Sequence, residues 1–300
     1  MARPNFFIVG APKCGTTALY QYLRAHPNVF MPSFKEPHFF STDLISNPVI
    51  KTIEQYAELF AESTEAHLRV GEASASYLLS SVAGRDIHAF DPDARIIAMY
   101  RNPVDMVYSF HSQLLYWSEE TEPDFEAAWR LQEPRRRGIA VPRTCKEPFW
   151  LQYERIGQFA THTERLLSVF PETQVKLILY DDLAASPGRV YDEVIAFLGL
   201  PHDNRSDFPR INENKRAKLT WVRNVVRKPP GRLRDAYRAI KQTAAGTAIG
   251  ALKEKILELN TVRETRPPLS PAFRAELVAT FRGEVAGLSR ILGRDLSHWK

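Results

Sequence analysis

Apolar residues follow two alternating rhythms along this chain. Short continuous runs occupy residues 6–9 (Phe-Phe-Ile-Val), 94–100 (Ala-Arg-Ile-Ile-Ala-Met-Tyr) and 174–180 (Gln-Val-Lys-Leu-Ile-Leu-Tyr), with a shorter run at 68–71 (Leu-Arg-Val-Gly). Such runs predict strands buried on both faces. Between them the spacing turns helical. Leu19, Tyr22 and Leu23 follow Thr16-Thr17, and Val107, Phe110 and Leu114 follow Pro103, which suits a first helical turn. Residues 52–60, 150–170, 187–198 and 271–292 also predict helices, and His26-Pro27 stops the first one. Strands alternating with helices predict an α/β fold with a central, mainly parallel sheet and right-handed crossovers.

Three stretches break the rhythm. Residues 31–40 (Met-Pro-Ser-Phe-Lys-Glu-Pro-His-Phe-Phe) carry prolines at 32 and 37, which forbid a regular helix, so a loop is expected to place Lys35, Glu36 and His38. Residues 115–150 hold Trp117, a Glu-rich turn, Arg135-Arg136-Arg137, Pro142 and Pro148, and read as an irregular insertion lining a substrate cleft. From Lys215 to Lys241 there are ten Lys or Arg against one acid, Asp235, so a basic helical segment is expected from about 215 to 260. That charge suits either a solvated helix face or an anionic cofactor or substrate. Its sparse aromatics, Trp221 and Tyr237, argue against a platform for single-stranded nucleic acid. No internal repeat or low-complexity tract interrupts the chain, and residues 1–300 are expected to form a single domain.

Composition adds little but narrows the setting. Three hundred residues with 44% hydrophobic content suffice for one large core. The net charge of +5 and pI near 9.1 lean towards anionic ligands. Only two cysteines occur, Cys14 and Cys145, so a disulfide framework is not expected and a reducing, cytoplasmic location fits. No secretory or membrane-spanning segment is read from the sequence.

The chemistry gathers on the first strand–loop–helix. Gly10 and Gly15 bracket a turn between the strand at 6–9 and the helix opening at Thr16 and Thr17. That arrangement aims backbone N–H groups and a helix N-terminus at one anion, a phosphate cradle. It departs from the nucleoside-triphosphate loop G-x-x-x-x-G-K-[ST], because Thr16 takes the lysine slot and the lysine lies three residues earlier, at Lys13. A lysine there can reach a group bridging a phosphate and whatever is transferred. Arg101, at the end of the strand at 94–100, and Ser109, two helical turns on, could grip one further phosphate. Glu72 follows the run at 68–71, where open α/β sheets place active sites; a helix-start carboxylate is the alternative.

Four of these stretches resemble one family, the sulfotransferases that use 3′-phosphoadenosine 5′-phosphosulfate. Val9-Gly-Ala-Pro-Lys-Cys-Gly-Thr-Thr17 resembles its 5′-phosphosulfate loop, and Tyr100-Arg-Asn-Pro-Val-Asp-Met-Val-Tyr-Ser109 its 3′-phosphate motif. Phe34-Lys-Glu-Pro-His-Phe-Phe40 and Gly71-Glu-Ala-Ser-Ala-Ser-Tyr77 look like segments of the heparan-sulfate-type branch; Tyr180-Asp-Asp-Leu183 and Phe197-Leu-Gly-Leu200 also fit. The resemblance implies a P-loop-type three-layer α/β/α fold with helical insertions. It implies a donor, 3′-phosphoadenosine 5′-phosphosulfate, held by Pro12, Lys13, Cys14, Gly15, Thr16, Thr17, Arg101 and Ser109, leaving adenosine 3′,5′-bisphosphate as product. Around Asn214-Lys-Arg216 the usual glycine is missing, so Lys215, Arg216 and Lys218 all stand as contacts for the 3′-phosphate. Glu72 is implied as catalytic base with Lys13 as second catalytic residue; His38 and His111 are reserves, and with Lys35 are candidates for acceptor binding.

A sulfuryl group carries less charge than a phosphoryl group, so the transfer is expected to need no metal. Preorganised donors stabilise the leaving oxygen and a base takes the acceptor's proton. The expected acceptor is a hydroxyl or amine of a saccharide or small molecule, with no nucleic-acid partner and no integral membrane segment; oligomeric state stays open. A P-loop nucleotide or small-molecule kinase is the rival enzyme. It would need Mg²⁺, which Asp181 or Asp182 could serve. An anion- or nucleic-acid-binding module built on residues 215–241 is the non-enzymatic rival.

Overall fold

Strands β1 (Phe6–Gly10), β2 (Val29–Phe30), β3 (Arg69–Ala73), β4 (Arg95–Tyr100) and β5 (Val175–Leu179) pair in the order β2-β3-β1-β4-β5, every pair parallel. The computed structural model describes residues 3–45, 48–211, 215–217, 249, 255, 259, 261–263 and 266–300. All of β1 and nearly all of β4 are buried, as strands covered by helices on both faces must be. This is the α/β fold with a central parallel sheet expected from the alternating runs. One rung of the sheet joins Glu72, Phe7 and Ile96 across β3, β1 and β4.

The loop after β1 leads into α1 (Thr16–Arg24), α2 (Ile53–Glu58) precedes β3, α3 (Ala83–Phe90) follows it, and α4 (Pro103–Trp117) starts three residues beyond the end of β4. The side chain of Asn102 caps α4 by accepting from the Val104 amide at 3.0 Å. After β5 come α9 (Tyr180–Ala185) and α10 (Pro187–Leu198). Loops following the C-terminal ends of parallel strands collect on one edge, where open α/β sheets bind ligands.

Four expectations need correction. β3 runs on through Ala73, so Glu72 lies inside the strand, not beyond it, and no helix starts there. Pairing with β1 overrides the weak strand preference of the Glu-Ala segment. The insertion is irregular only in part: α4 reaches Trp117, and α5 (Phe125–Arg130) and α6 (Gln132–Arg136) follow, while 118–124 and 137–147 lie outside any helix. Asp124 caps α5 at the Ala127 amide, and Phe125 and Trp129 supply its buried face.

The helix expected over 150–170 is broken into a 3₁₀ turn (Pro148–Leu151), α7 (Tyr153–Ile156) and α8 (Phe159–Leu167). The break falls at Gly157, where a Cβ would stand 2.4 Å from the Phe281 ring of the C-terminal helix Pro271–Leu292. Only glycine leaves room there for that ring. Lastly, Lys215–Ala217 is a strand, β6, antiparallel to β7 (Thr261–Arg263) and running beside α4. Most of the basic segment, with Lys218 and the remainder of 215–260, lies outside the described residues. Among the described residues no helix is long and apolar enough to cross a membrane.

Candidate functional site

The loop between β1 and α1 is built to leave donors free. Gly15 stands at the N-cap of α1 with φ 91, and no side chain caps the helix. The first turn of α1 holds no acidic residue. Its leading amides therefore face an anion with no side chain competing, and the helix dipole favours that charge. Gly15 is required twice over: φ is positive, and a Cβ would stand 2.9 Å from Tyr180 Cδ2. Lys13 is also left-handed, at φ 62, which turns it within the loop. Thr16 is buried and Thr17 half-buried. Cys14 is fully buried, its thiol against the Pro12 carbonyl, and burial pushes its pKa up to about 12, so it is a packing residue and not a nucleophile.

A second set of cations sits beside this loop. The Arg101 guanidinium lies 4.9 Å from the Tyr180 ring centroid, the ring that walls Gly15. Ser109 is buried in the second turn of α4. Arg266, which the sequence reading did not single out, lies over the Tyr108 ring at 5.5 Å, while the Tyr108 hydroxyl donates to the Pro267 carbonyl at 2.9 Å. Burial and then the charge of Arg101 hold the Arg266 pKa below the usual arginine value. Two like-charged guanidiniums brought together beside Ser109 suit a phosphate. A signal that could have found Arg266 is the Pro267-Pro268 pair that follows it, at which the bond from Tyr108 holds the chain against α4. Lys215 and Arg216 lie on β6, beside the helix that carries Ser109.

The donor set is therefore neutral or cationic throughout: loop and helix amides, Lys13, Arg101, Arg266 and a serine hydroxyl. It fits a nucleotide carrying two separate phosphates. The carboxylates once considered for a metal are engaged otherwise. Asp182 pairs with Arg294 and Arg189, and Asp181 accepts from Trp299 Nε1 at 2.7 Å and faces His298. Among the described residues no cluster of three metal-binding side chains forms.

The other wall is formed by residues 35–41 and 72–77. Ala75 joins it to the loop: a Cβ on Gly10 would stand 2.8 Å from the Ala75 carbonyl, and the Ala75 amide donates to Glu36 Oε2 at 2.8 Å. Glu36 is thus linked through Ala75 to Gly10, the residue that opens the loop. It also pairs with Lys35 and faces His38 Nε2 at 3.8 Å. Burial pushes the Glu36 pKa up, but Lys35, His38 and the Ala75 amide outweigh it and hold the carboxyl below its ordinary value. Glu36 and His38 both take positive φ, 63 and 56, on either side of Pro37. Left-handed backbone at non-glycine residues costs energy, on the order of 1 kcal/mol each, and clusters at functional sites.

Glu72 is placed differently. It is completely buried, and both the Tyr77 and Tyr56 hydroxyls donate to its Oε2, at 2.6 and 3.1 Å. Its Oε1 is buried without a hydrogen-bond partner. Burial raises its pKa to about 7, against the pull of Tyr77, the nearby Ser74 and Tyr56. The charges of Lys13 and Arg101 both act on Cys14 in the loop, Lys35 and His38 flank Glu36, and Ser109 lies on the helix that follows Arg101. The structure does not bring His111 to them: that ring is 1% exposed, bonded through Nε2 to the Glu122 carbonyl and packed on Phe125 and Tyr153. Beyond the 74–77 turn an open groove of about 370 Å³ is lined by Asp43, Phe149, Arg155, Gln158 and Arg165.

Comparison with known proteins shows the family and the fold. The family described as "Sulfotransferase domain" matches residues 3–227. Bifunctional heparan sulfate N-deacetylase/N-sulfotransferase 4 of Mus musculus is 32% identical over 218 residues, covering 68% of this chain and 23% of that protein. Heparan sulfate glucosamine 3-O-sulfotransferase 6 of Homo sapiens is 31% identical over 197 residues, covering 66% of this chain and 52% of that one. The chain thus spans from about a quarter to about half the length of these curated relatives. Among solved structures, a sulfotransferase from Alicyclobacillus acidocaldarius is 30% identical with a TM-score of 0.71, covering 100% of this chain and 99% of that one.

Proposed function

The chain belongs to the sulfotransferase family, and from that premise we propose that it transfers a sulfuryl group from 3′-phosphoadenosine 5′-phosphosulfate to a hydroxyl or amine of a saccharide or other small-molecule acceptor. The observation that carries the reading is the uncapped N-terminus of α1 behind a loop bearing Lys13, next to the Arg101–Ser109–Arg266 cluster. One anion site fits the 5′ end of the nucleotide and the other its 3′-phosphate. When bound, the donor supplies the sulfuryl group and departs as adenosine 3′,5′-bisphosphate.

The chain's own residues then divide the work. The α1 amides and Lys13 hold negative charge and stabilise its increase on the oxygen that leaves. Pro12, Cys14, Gly15, Thr16 and Thr17 shape the loop, with Cys14 anchoring it in the core. Arg101, Ser109 and Arg266 select for the 3′-phosphate, with Lys215 and Arg216 on the neighbouring strand. The base assignment moves from Glu72 to Glu36. A base must first lie within reach of the proton, and only then does its pKa matter. The pKa of Glu72, about 7, would suit a base, but it is sealed from solvent behind two tyrosines. The Glu36 side chain is 30% exposed and adjoins the loop through Ala75. Lys35 and His38 flank it and orient the acceptor, and the groove beyond gives a longer acceptor room to lie. His111 is a packing residue of the insertion.

No metal is assigned a role, because Asp181 and Asp182 already hold the C-terminal tail and Arg189. The two cysteines, neither of them in a disulfide, suit a cytoplasmic location. The test has two parts. Thermal shifts with adenosine 3′,5′-bisphosphate, ATP–Mg²⁺ and an oligonucleotide rank the three ligand classes. Incubation with isotopically labelled sulfuryl donor, EDTA and a pool of saccharides and small metabolites follows, read by mass spectrometry for an added sulfuryl group. Stabilisation by ATP–Mg²⁺ alone, or activity abolished by EDTA and restored by Mg²⁺, would return the protein to the kinase class.

A further inference from the structure

His38 and two serines form a hydrogen-bonded chain whose direction follows from counting protons. His38 Nδ1 lies 2.7 Å from Ser76 Oγ. Ser76 Oγ lies 2.8 Å from Ser41 Oγ. Ser41 Oγ donates to the His38 carbonyl at 3.2 Å. A serine hydroxyl has one proton to give. If Ser41 gives its proton to the His38 carbonyl, the contact between the serines is made by the Ser76 proton. Ser76 then has only lone pairs for the imidazole, so His38 Nδ1 carries the hydrogen. This ordering makes all three contacts at once, and the reverse ordering loses one. Ser41 and Ser76 are buried, 0% and 1% exposed, so water is not there to replace a lost partner.

The rest of the residue is held as firmly. The His38 amide donates to Ser74 Oγ at 3.0 Å. The ring's other nitrogen, Nε2, faces Glu36 Oε2 at 3.8 Å. Burial pushes the His38 pKa down, with Glu36 and Glu147 pulling it up and Lys35 reinforcing the fall, so the ring is neutral at and above neutral pH.

We propose that Ser76 and Ser41 are positioning residues that hold neutral His38 in its Nδ1–H tautomer, so that Nε2 presents a lone pair to the acceptor hydroxyl or amine beside Glu36. The inference rests on the acceptor-side reading given above. His38 then orients the acceptor by accepting its hydrogen bond, while the proton released on transfer goes to Glu36. The opposite tautomer would aim an N–H at the acceptor and at the carboxylate, engaging the base instead of the substrate.

The test is spectroscopic and needs neither donor nor acceptor. Full-length protein labelled with ¹⁵N at histidine is examined above neutral pH by long-range ¹H–¹⁵N correlation, and His38 is assigned by the signals missing from His38→Gln. The wild-type protein is expected to show protonated Nδ1 and unprotonated Nε2. Ser76→Ala is expected to shift His38 towards the Nε2–H form that imidazole prefers in water, by roughly tenfold in tautomer ratio, the worth of one hydrogen bond. Ser41→Ala, which keeps Ser76, is expected to shift it less and in the same direction. Unmoved signals from the other histidines report an intact fold, and Ser41→Ala serves if Ser76→Ala does not fold. An Nε2–H signal in the wild type, or an unchanged tautomer in the folded variants, overturns the proposal. A wild-type protein with the Nδ1–H form that transfers no sulfuryl group upholds the tautomer and overturns the functional reading.

Discussion

The hydroxyl of Tyr77 donates to Oε2 of Glu72 across 2.6 Å, in a site from which water is excluded. The carboxyl there is pushed up to about 7 from an ordinary 4.5. Its pKa is thus raised on folding, and between those values the folded chain holds a proton that the unfolded chain has lost. Stability therefore falls as pH rises from about 4.5 to about 7, and the cost stays in force above that. Glu72→Gln keeps an oxygen for both tyrosines and cannot ionise. Relative to wild type, its melting temperature should gain from about pH 5 to about pH 7.5, with a stability difference of up to about 3 kcal/mol. A constant difference across that range would mean that Glu72 is ionised in the native state.

Catalysis should separate the two glutamates. Glu36→Gln is expected to lower kcat by about 10²–10⁴, the usual worth of a general base, with bisphosphate affinity close to wild type. Glu72→Gln should keep kcat within about tenfold, because it alters a buried strut and no reacting group. The reverse outcome in steady-state kinetics would restore the base role to Glu72.

The loop itself should tolerate little. Gly15→Ala combines a φ of 91 with a Cβ 2.9 Å from Tyr180, so the loop must open to admit it. Calorimetric titration with adenosine 3′,5′-bisphosphate should show a loss of tenfold or more, about 1.4 kcal/mol. Lys13→Ala should lose about 1.5–3 kcal/mol of bisphosphate binding and lower kcat as well. A Lys13 variant affected in only one of the two would confine that lysine to binding or to the reaction.

Arg101 and Arg266 should read the same group. Alanine at either is expected to weaken adenosine 3′,5′-bisphosphate by about 1.5–3 kcal/mol and to leave AMP nearly unaffected. Together the substitutions should cost less than their sum, since relief of repulsion accompanies the first loss. Equal weakening of both nucleotides would place the pair away from the 3′-phosphate.

Arg135 belongs to the core of the insertion. Its guanidinium makes two bonds to Glu120, at 2.6 and 2.8 Å, and Tyr153 donates to the same carboxylate at 2.7 Å. Arg135→Leu strands a buried charge and should cost about 3–5 kcal/mol in denaturant unfolding. Arg136→Leu, at an exposed position, should change stability by less than about 0.5 kcal/mol. Similar losses for both would contradict the buried pair.

The chain's own pattern determined the four longer strands of the sheet, the strand–loop–helix between its two glycines and the helix that opens at Pro103. Each rests on local information: an apolar run, two glycines at fixed spacing, or residues on one strand–helix connection. The identity of the base did not follow from such information. Glu36 and Glu72 each sit in a plausible motif, and only packing buries one behind Tyr56 and Tyr77 and leaves the other partly exposed against the Ala75 amide. Arg135, Arg136 and Arg137 read alike as a basic run, yet one of them is buried because a carboxylate 15 residues away in the chain meets it. Arg266 joins Arg101 from the far side of the basic segment. Burial, charge pairing and long-range approach are properties of the folded arrangement, since each depends on what the distant chain places opposite a residue.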